Sequence, residues 1–141
     1  MEKLSIGANM TKEITVKSKE RKDENGEVFT PAYIVDEMLA LLPEGILEDS
    51  SKTFLDPTCG NGNILVQILK RRIELNLDPT LSCNSLYGVD LMQDNIDDCR
   101  ERLLKLAPDS NPNLKQQDFF DIDWNGEWED IGKASSTEDL F

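Results

Sequence analysis

The stretch Asp56-Pro57-Thr58-Cys59-Gly60-Asn61-Gly62 places a carboxylate, a tight glycine-containing turn and the start of an apolar helix in direct succession after the short apolar run Phe54-Leu55. Residues of these types at this spacing suit the capture of a small charged molecule. Gly60 and Gly62 allow positive φ and let backbone approach a ligand with no Cβ in the way. Free N–H groups at the helix start would point at an acidic group. Asp56 in front of the turn narrows the ligand, because it repels a pyrophosphate and pairs with an ammonium. An amino-acid-like cofactor fits this cradle better than a dinucleotide. Taken alone, the two glycines more often mark an ordinary strand-to-helix turn than a cofactor loop.

The elements around the cradle follow from periodicity. Thr30 and Pro31 read as the N-cap and first position of a helix whose apolar face is Ile34, Val35, Met38, Leu39, Leu41 and Leu42, ending at Pro43. Ile64, Leu65, Ile68, Leu69 and Ile73 predict a second helix from about Asn63 to Leu75, with Lys70, Arg71 and Arg72 near its negative end. Residues 78–85 read as a polar loop before the strand Leu86 to Asp90. Ile96, Cys99, Leu103 and Leu106 define a third helix, closed by Pro108, with Asp94, Asp97 and Asp98 at its positive end. Propensity alone does not make Leu114 to Asp118 a strand, since Lys-Gln-Gln is not a β-rich run; the order of the motifs given below places one there. Near the N-terminus, Glu13 to Lys17 is a strand candidate that could form a weak hairpin, and 17–25 reads as a charged linker. Tyr33 and Tyr87 read as core residues.

Strands alternating with helices in units of roughly 30 residues argue for an α/β fold with a parallel sheet and right-handed crossovers, whose ligands sit at the carboxyl ends of the strands. Asp56, Asp90 and Asp118 each fall at such an end.

Asp56-Pro57-Thr58-Cys59-Gly60-Asn61-Gly62-Asn63 resembles the first motif of the amino-methyltransferases that modify adenine in DNA, roughly Asp-Pro-x-Cys-Gly-x-Gly. Gly26-Glu27-Val28-Phe29-Thr30-Pro31 is similar to that family's N-terminal motif, Leu86-Tyr87-Gly88-Val89-Asp90 to its second, and Gln117-Asp118-Phe119-Phe120 to its third. Four motifs in the family's order are more specific than any one of them, and together they span roughly residues 24 to 125. The resemblance implies a Rossmann-like methyltransferase fold, here a truncated parallel sheet with helices on both faces, and S-adenosylmethionine as cofactor. It also implies residue roles. Phe29, Thr30 and Pro31 would wrap the methionine end, with Thr30 serving as N-cap, as a contact to the cofactor carboxylate, or as both. Asp56 would face the methionyl ammonium within the turn Pro57, Thr58, Gly60, Asn61 and Gly62, where Cys59 is a small filler and no nucleophile. Asp90, beside Leu91, would hold the ribose hydroxyls, since a carboxylate accepts from two hydroxyls at once; otherwise it is a charge at the start of the following helix. Asp118 would take the adenine amino group with Phe119 on the ring face, or else the pair is a turn carboxylate and a core aromatic.

Length and charge set the frame. The 141 residues allow one domain, shorter than a complete methyltransferase of this kind. Three parts are expected: a basic arm or weak hairpin over 1–23, the cofactor-binding domain over 24–125 and an acidic tail over 126–141. No apolar run reaches the ~20 residues of a membrane helix and no signal peptide is visible, so no membrane partner and a cytoplasmic location are expected. Three cysteines without C-x-x-C spacing and no histidine indicate neither a disulfide framework nor a zinc site. The net charge of -13 opposes contact with duplex DNA over most of the chain. Lys3, Lys12, Lys17, Lys19, Arg21 and Lys22 make the arm the segment to meet phosphate, unless both termini are simply solvated.

One element of the resemblance is missing. The family's fourth motif, Asn or Asp followed by Pro-Pro and an aromatic, accepts from the target amino group and stacks on the flipped base. The six prolines here are never adjacent, and after Phe120 the sequence runs through Trp124, Trp128 and Ile131 into the polar stretch 134–140. Two functions remain open. The chain is part of an adenine-directed DNA methyltransferase completed by a partner, or it is a non-catalytic S-adenosylmethionine-binding protein that senses, sequesters or regulates. Without the family's fourth strand, the strand at Phe54 would have an open edge. The expected cover is 13–17, 128–131, a second copy of the chain or a different protein.

Overall fold

A computed structural model describes residues 29–122 and Trp128. Seven regular elements follow one another: α1 (Ala32–Ala40), β1 (Phe54–Asp56), α2 (Asn63–Glu74), α3 (Pro79–Asn84), β2 (Leu86–Asp90), α4 (Gln93–Leu106) and β3 (Asn113–Gln116), with a 3-10 turn at Phe119–Asp121. The three strands form one parallel sheet in the order β1-β2-β3, with Phe54 opposite Leu86 and Tyr87 opposite Asn113. The expected α/β plan is present, a small all-parallel sheet with helical crossovers.

Alternation along the strands separates two apolar groups. Phe54, Leu86 and Leu114 face the main core, where they meet Val35 and Leu39 of α1, Leu65, Ile68 and Leu69 of α2, Cys83 of α3, and Ile96, Cys99 and Leu103 of α4. Leu55, Tyr87 and Val89 face the other way and are covered by Phe119, Ile122 and Trp128, with Trp128 edge-on to Tyr87 at 5.5 Å between centroids. Among the described residues the helices therefore gather on one face of the sheet, and an aromatic cap covers the second.

Several local expectations change. The helix α1 starts one residue later than its sequence suggests: Pro31 stands at the N-cap, its carbonyl accepts from the Ile34 and Val35 N–H groups, and no side chain caps. Thr30 is thus outside the helix. The buried face of α1 is also narrower, since only Val35 and Leu39 are buried while Met38 and Leu41 are exposed. The neighbouring α2 covers one stripe of a nine-residue helix, and α1 ends before Leu41 can return to it. Tyr33 is 58% exposed and Tyr87 is buried, so one of the two expected core tyrosines lies on the surface. The segment read as a polar loop holds α3, because Pro79 sits at its first position and the Asp78 carboxylate accepts from the Leu81 N–H at 2.9 Å. The helix α2 ends where Asn76 takes a φ of 65°, with Leu77 N–H bonded to Arg72 O and Asn76 N–H to Ile73 O, a Schellman closure.

The two halves of the main core are stapled by Arg72, which is 1% exposed. Its guanidinium donates to Leu47 O, Asp49 O, Lys52 O and Ser85 Oγ and lies over the Phe54 ring. Burial lowers its pKa and the Asp49 carboxylate opposes that shift. The staple fixes the loop that leads into β1.

Strand β1 ends the sheet, and among the described residues no strand pairs with its outer side. The Phe54 N–H donates inward to Ser85 O, so alternation turns the Leu55 amide outward. Trp128 lies over the face of β2, not along this edge. The candidate cover at 13–17 and the rest of 128–131 fall outside the described residues, as do the basic arm and most of the acidic tail.

Candidate functional site

Parallel pairing brings the carboxyl ends of the three strands side by side, with Asp56 opposite Gly88 and Asp90 opposite Gln116. A cavity of about 430 Å³ opens there, within the size range of small-molecule sites. The cradle contributes Pro57, Thr58 and Gly60, and the end of β2 contributes Asp90, Leu91 and Met92. Beyond β3 come Gln117, Asp118, Phe119 and Phe120, while Phe29, Thr30 and Ile64 close the near side. A water-sized space of about 20 Å³ adjoins the turn, bordered by Asp56, Thr58, Asn61 and Asn63 among others.

The turn itself is built from backbone hydrogen bonds that the strand ends complete. Cys59 N–H donates to Val89 O and Gly62 N–H to Cys59 O, both at 2.8 Å. Thr58 N–H donates to Asp56 Oδ1 at 3.1 Å and Gly60 N–H to Asp90 Oδ1 at 3.1 Å. Four N–H groups of the turn, at Thr58, Cys59, Gly60 and Gly62, are thus taken within the protein; the helix-start N–H groups that the sequence offers to a ligand come after them. The reason for the internal bonds is cost, since an unsatisfied N–H in a turn this buried forfeits its hydration with no return. Gly62 holds φ at 93° at the N-cap of α2, and Gly60 lies under the Phe29 ring, where a Cβ would come within 3.1 Å of Phe29 Cδ1.

Asp90 accepts three hydrogen bonds. Besides Gly60 on Oδ1, its Oδ2 takes the Met92 N–H at 2.9 Å and Asn95 Nδ2 at 3.0 Å. Of roughly four lone-pair positions on a carboxylate, one is left on Oδ1. Asp90 lines the cavity and at the same time organises the start of α4, the second of its two sequence readings. A grip on two hydroxyls at once requires one internal donor to let go. Asp118 is similar. It lines the cavity and also accepts the Phe120 N–H at 3.0 Å as cap of the 3-10 turn.

Asp56 is 8% exposed, and burial pushes its carboxyl above the ordinary carboxylate range; the Thr58 N–H opposes that shift and the Asp90 charge adds to it. Close by, Asn61 Oδ1 is buried with no hydrogen-bond partner. Asp56 and Asn61 are both among the residues that border the small space at the turn. The Cys59 thiol is buried and held protonated, first by its hydrogen bond with Cys99 and then by burial, which suits a filler and not a nucleophile.

Of the residues singled out by sequence, Phe29, Thr30, Pro57, Thr58, Gly60, Asp90, Leu91, Asp118 and Phe119 border the large cavity, and Asp56 and Asn61 border the small space. Pro31 and Gly62 border neither. Pro31 is exposed at the start of α1, and Gly62 is packed beneath Cys99 of α4. Sequence reasoning missed Ile64 and Met92 and gave no role of their own to Gln117 and Phe120 of the third motif. Ile64 reads as helix core, and nothing in its periodicity separates the turn nearest the cavity from the rest. Phe120 is 89% exposed at the rim, edge-on to Phe119, a placement only the 3-10 turn creates.

A family model described as N-6 DNA Methylase matches residues 13–107. The chain belongs to that family. It is also 31% identical over 103 residues to the Type II methyltransferase M.VspI of Vibrio sp. (strain 343), an alignment covering 73% of this chain and 22% of that protein. The chain thus spans about a fifth of the length of the relative it matches. Members of the N-6 DNA methylase family use S-adenosylmethionine. The family match contains the cradle and Asp90 but stops before Asp118 and Phe119, whose place beside the others is given by the third strand end. Among the described residues no helix is long and apolar enough to cross a membrane, and no cluster of three or more His, Cys, Asp or Glu could hold a metal ion.

Proposed function

We propose that this N-6 DNA methylase chain is a module that holds S-adenosylmethionine for methyl transfer to adenine in DNA, and that the acceptor side of the reaction is supplied by a partner. The observation that carries the cofactor reading is the buried, unpartnered Asn61 Oδ1 beside Asp56. Two residues with acceptor oxygens at one confined space call for a multiple donor, and an ammonium with three N–H bonds answers them. The remaining lone pair of Asp90 suits a hydroxyl. The wall of Ile64, Leu91, Met92 and Phe119 suits the faces of a planar base, whose amino group Asp118 can accept. When bound, the cofactor supplies a sulfonium-activated methyl group. These residues orient it, and the lining from Phe29 and Thr30 limits water.

Calorimetric titration with S-adenosylhomocysteine tests this reading. One site per chain is expected, with Asp90→Ala weakening binding by roughly 1 to 3 kcal/mol through lost charge-assisted hydrogen bonds. A proton on Asp56 competes with an ammonium, so affinity should fall as pH drops through its raised pKa. Asp56→Asn should bind more weakly and lose that pH dependence. Unchanged affinity in both variants would move the site elsewhere.

Methyl transfer by the isolated chain is not expected, since the 141 residues contain no Asn/Asp-Pro-Pro-aromatic motif to accept from a flipped adenine. The outer edge of β1, with the Leu55 amide turned outward, is where a partner strand or a second copy of the chain would join, and the basic arm is the segment suited to phosphate. Incorporation of labelled methyl into duplex DNA should appear only when a polypeptide carrying that motif is added. Transfer by the pure chain would refute the need for a partner. Tight cofactor binding with no transfer under either condition would favour the sensing or sequestering reading.

A further inference from the structure

The segment carrying Phe29 and Thr30 is held against the cradle by a side-chain relay from α4. Asn63, the first residue of α2, donates from Nδ2 to Thr30 O at 2.6 Å. Its Oδ1 accepts from Arg102 Nη1 at 2.7 Å, and the same nitrogen donates to Asn61 O at 3.0 Å. Arg102 belongs to α4, is half-buried and does not line the cavity. A neutral amide can be oriented either way about its end, and a cation donating to Oδ1 settles it: the Nδ2 side must then face Thr30 O. The Phe29 ring lies on Gly60 and gives this segment a second contact with the turn.

We infer that Arg102 and Asn63 form a latch that keeps the Phe29–Thr30 wall closed over the cofactor cavity, with Arg102 a positioning residue that acts through Asn63 and Asn61. Beyond the latch, this wall leads into α1, whose Pro31 carbonyl accepts from the Ile34 and Val35 amides at 3.1 Å each and whose Val35 and Leu39 pack in the main core. The ligand side of the inference rests on the cofactor reading above. The latch itself does not.

Asn63→Asp is the informative variant. It keeps the acceptor for Arg102 and replaces the donor to Thr30 O with a carboxylate oxygen that repels it, while an acid at a helix N-terminus favours the helix. A purely structural role therefore predicts a variant at least as stable as the parent, with unchanged exchange at Ile34 and Val35. The latch predicts retained thermal stability, faster hydrogen exchange of those two amides, and affinity for S-adenosylhomocysteine lower by roughly tenfold, the scale of one lost hydrogen bond to a charged or buried group. Arg102→Met should share the exchange and affinity changes, and Arg102→Lys should restore them in part, since one ammonium can still reach Asn63 Oδ1. Unaltered exchange of the Ile34 and Val35 amides in Asn63→Asp overturns the latch. Altered exchange in a chain that binds no S-adenosylhomocysteine in its parent form keeps the latch and sinks the cofactor reading, so the two failures are distinct.

Discussion

Gly62→Ala is expected to destabilise the domain by roughly 2 to 5 kcal/mol, combining a strained positive φ with overpacking of a closed core. Gly62 sits at φ 93°, a region L side chains rarely enter. A Cβ there would come 2.6 Å from Cys99 Sγ and 3.2 Å from Cys99 Cβ. Cys99 cannot yield, because it is wholly buried in α4 against the main core. The clash would push α2 and α4 apart at the point where both elements border the cradle. Urea denaturation followed by circular dichroism should show an earlier midpoint and an unchanged slope. Combining the substitution with Cys99→Ala should recover part of the loss, since the sulfur is relieved and the φ penalty stays. A Gly62→Ala midpoint equal to that of the parent chain would contradict both the turn conformation and the contact.

Arg72→Met should cost about 3 to 5 kcal/mol, a large part of the ~5–15 kcal/mol typical of a whole domain. The aliphatic stem is conserved in this substitution, so packing changes little. What is lost is the fork that serves Leu47 O, Asp49 O, Lys52 O and Ser85 Oγ together. Three backbone carbonyls of a partly buried loop would be left without that partner. Arg72→Lys should recover only a fraction, because a single ammonium cannot span acceptors arranged around a planar guanidinium. Thermal denaturation of the three proteins, read in the order parent, lysine, methionine, checks this ranking. Equal melting points for the lysine variant and the parent would show that the charge alone, and not the fork, supports the loop before β1.

Most of the strand and helix order was legible because the longer helices are amphipathic, Leu86 to Asp90 is an apolar run, and local residues stop the chain between them, whereas β3, a run of Asn-Leu-Lys-Gln, was legible only from the order of the motifs. The strand from Leu86 to Asp90 lies where its apolar run lies, and α2 ends within one residue of its expected limit, at an asparagine that can take positive φ. Local signals misled where competing local chemistry was subtle. Asp78-Pro79 is a helix start as readily as a loop, and only six residues of α3 follow it. Thr30 has the identity of a cap, yet the Pro31 carbonyl takes the first helical bonds.

The sequence by itself determined that three carboxylates stand at strand ends beside a glycine turn, because that is a matter of residue type and spacing along one chain. It also determined the family, through motifs in a set order. Only the tertiary structure decided how those carboxylates are used. Asp90 is committed to Gly60, Met92 and Asn95, and Asn61 Oδ1 is left as the unpartnered acceptor near Asp56. The burial of Arg72 and the relay from Arg102 to Thr30 were equally invisible beforehand: both cations sit on helices where a charged residue reads as surface. Their partners lie 13 to 25 residues away for Arg72 and 39 to 41 residues away for Arg102. Hydrogen bonds over such separations depend on how α2 and α4 pack on the sheet, and no local pattern encodes that packing.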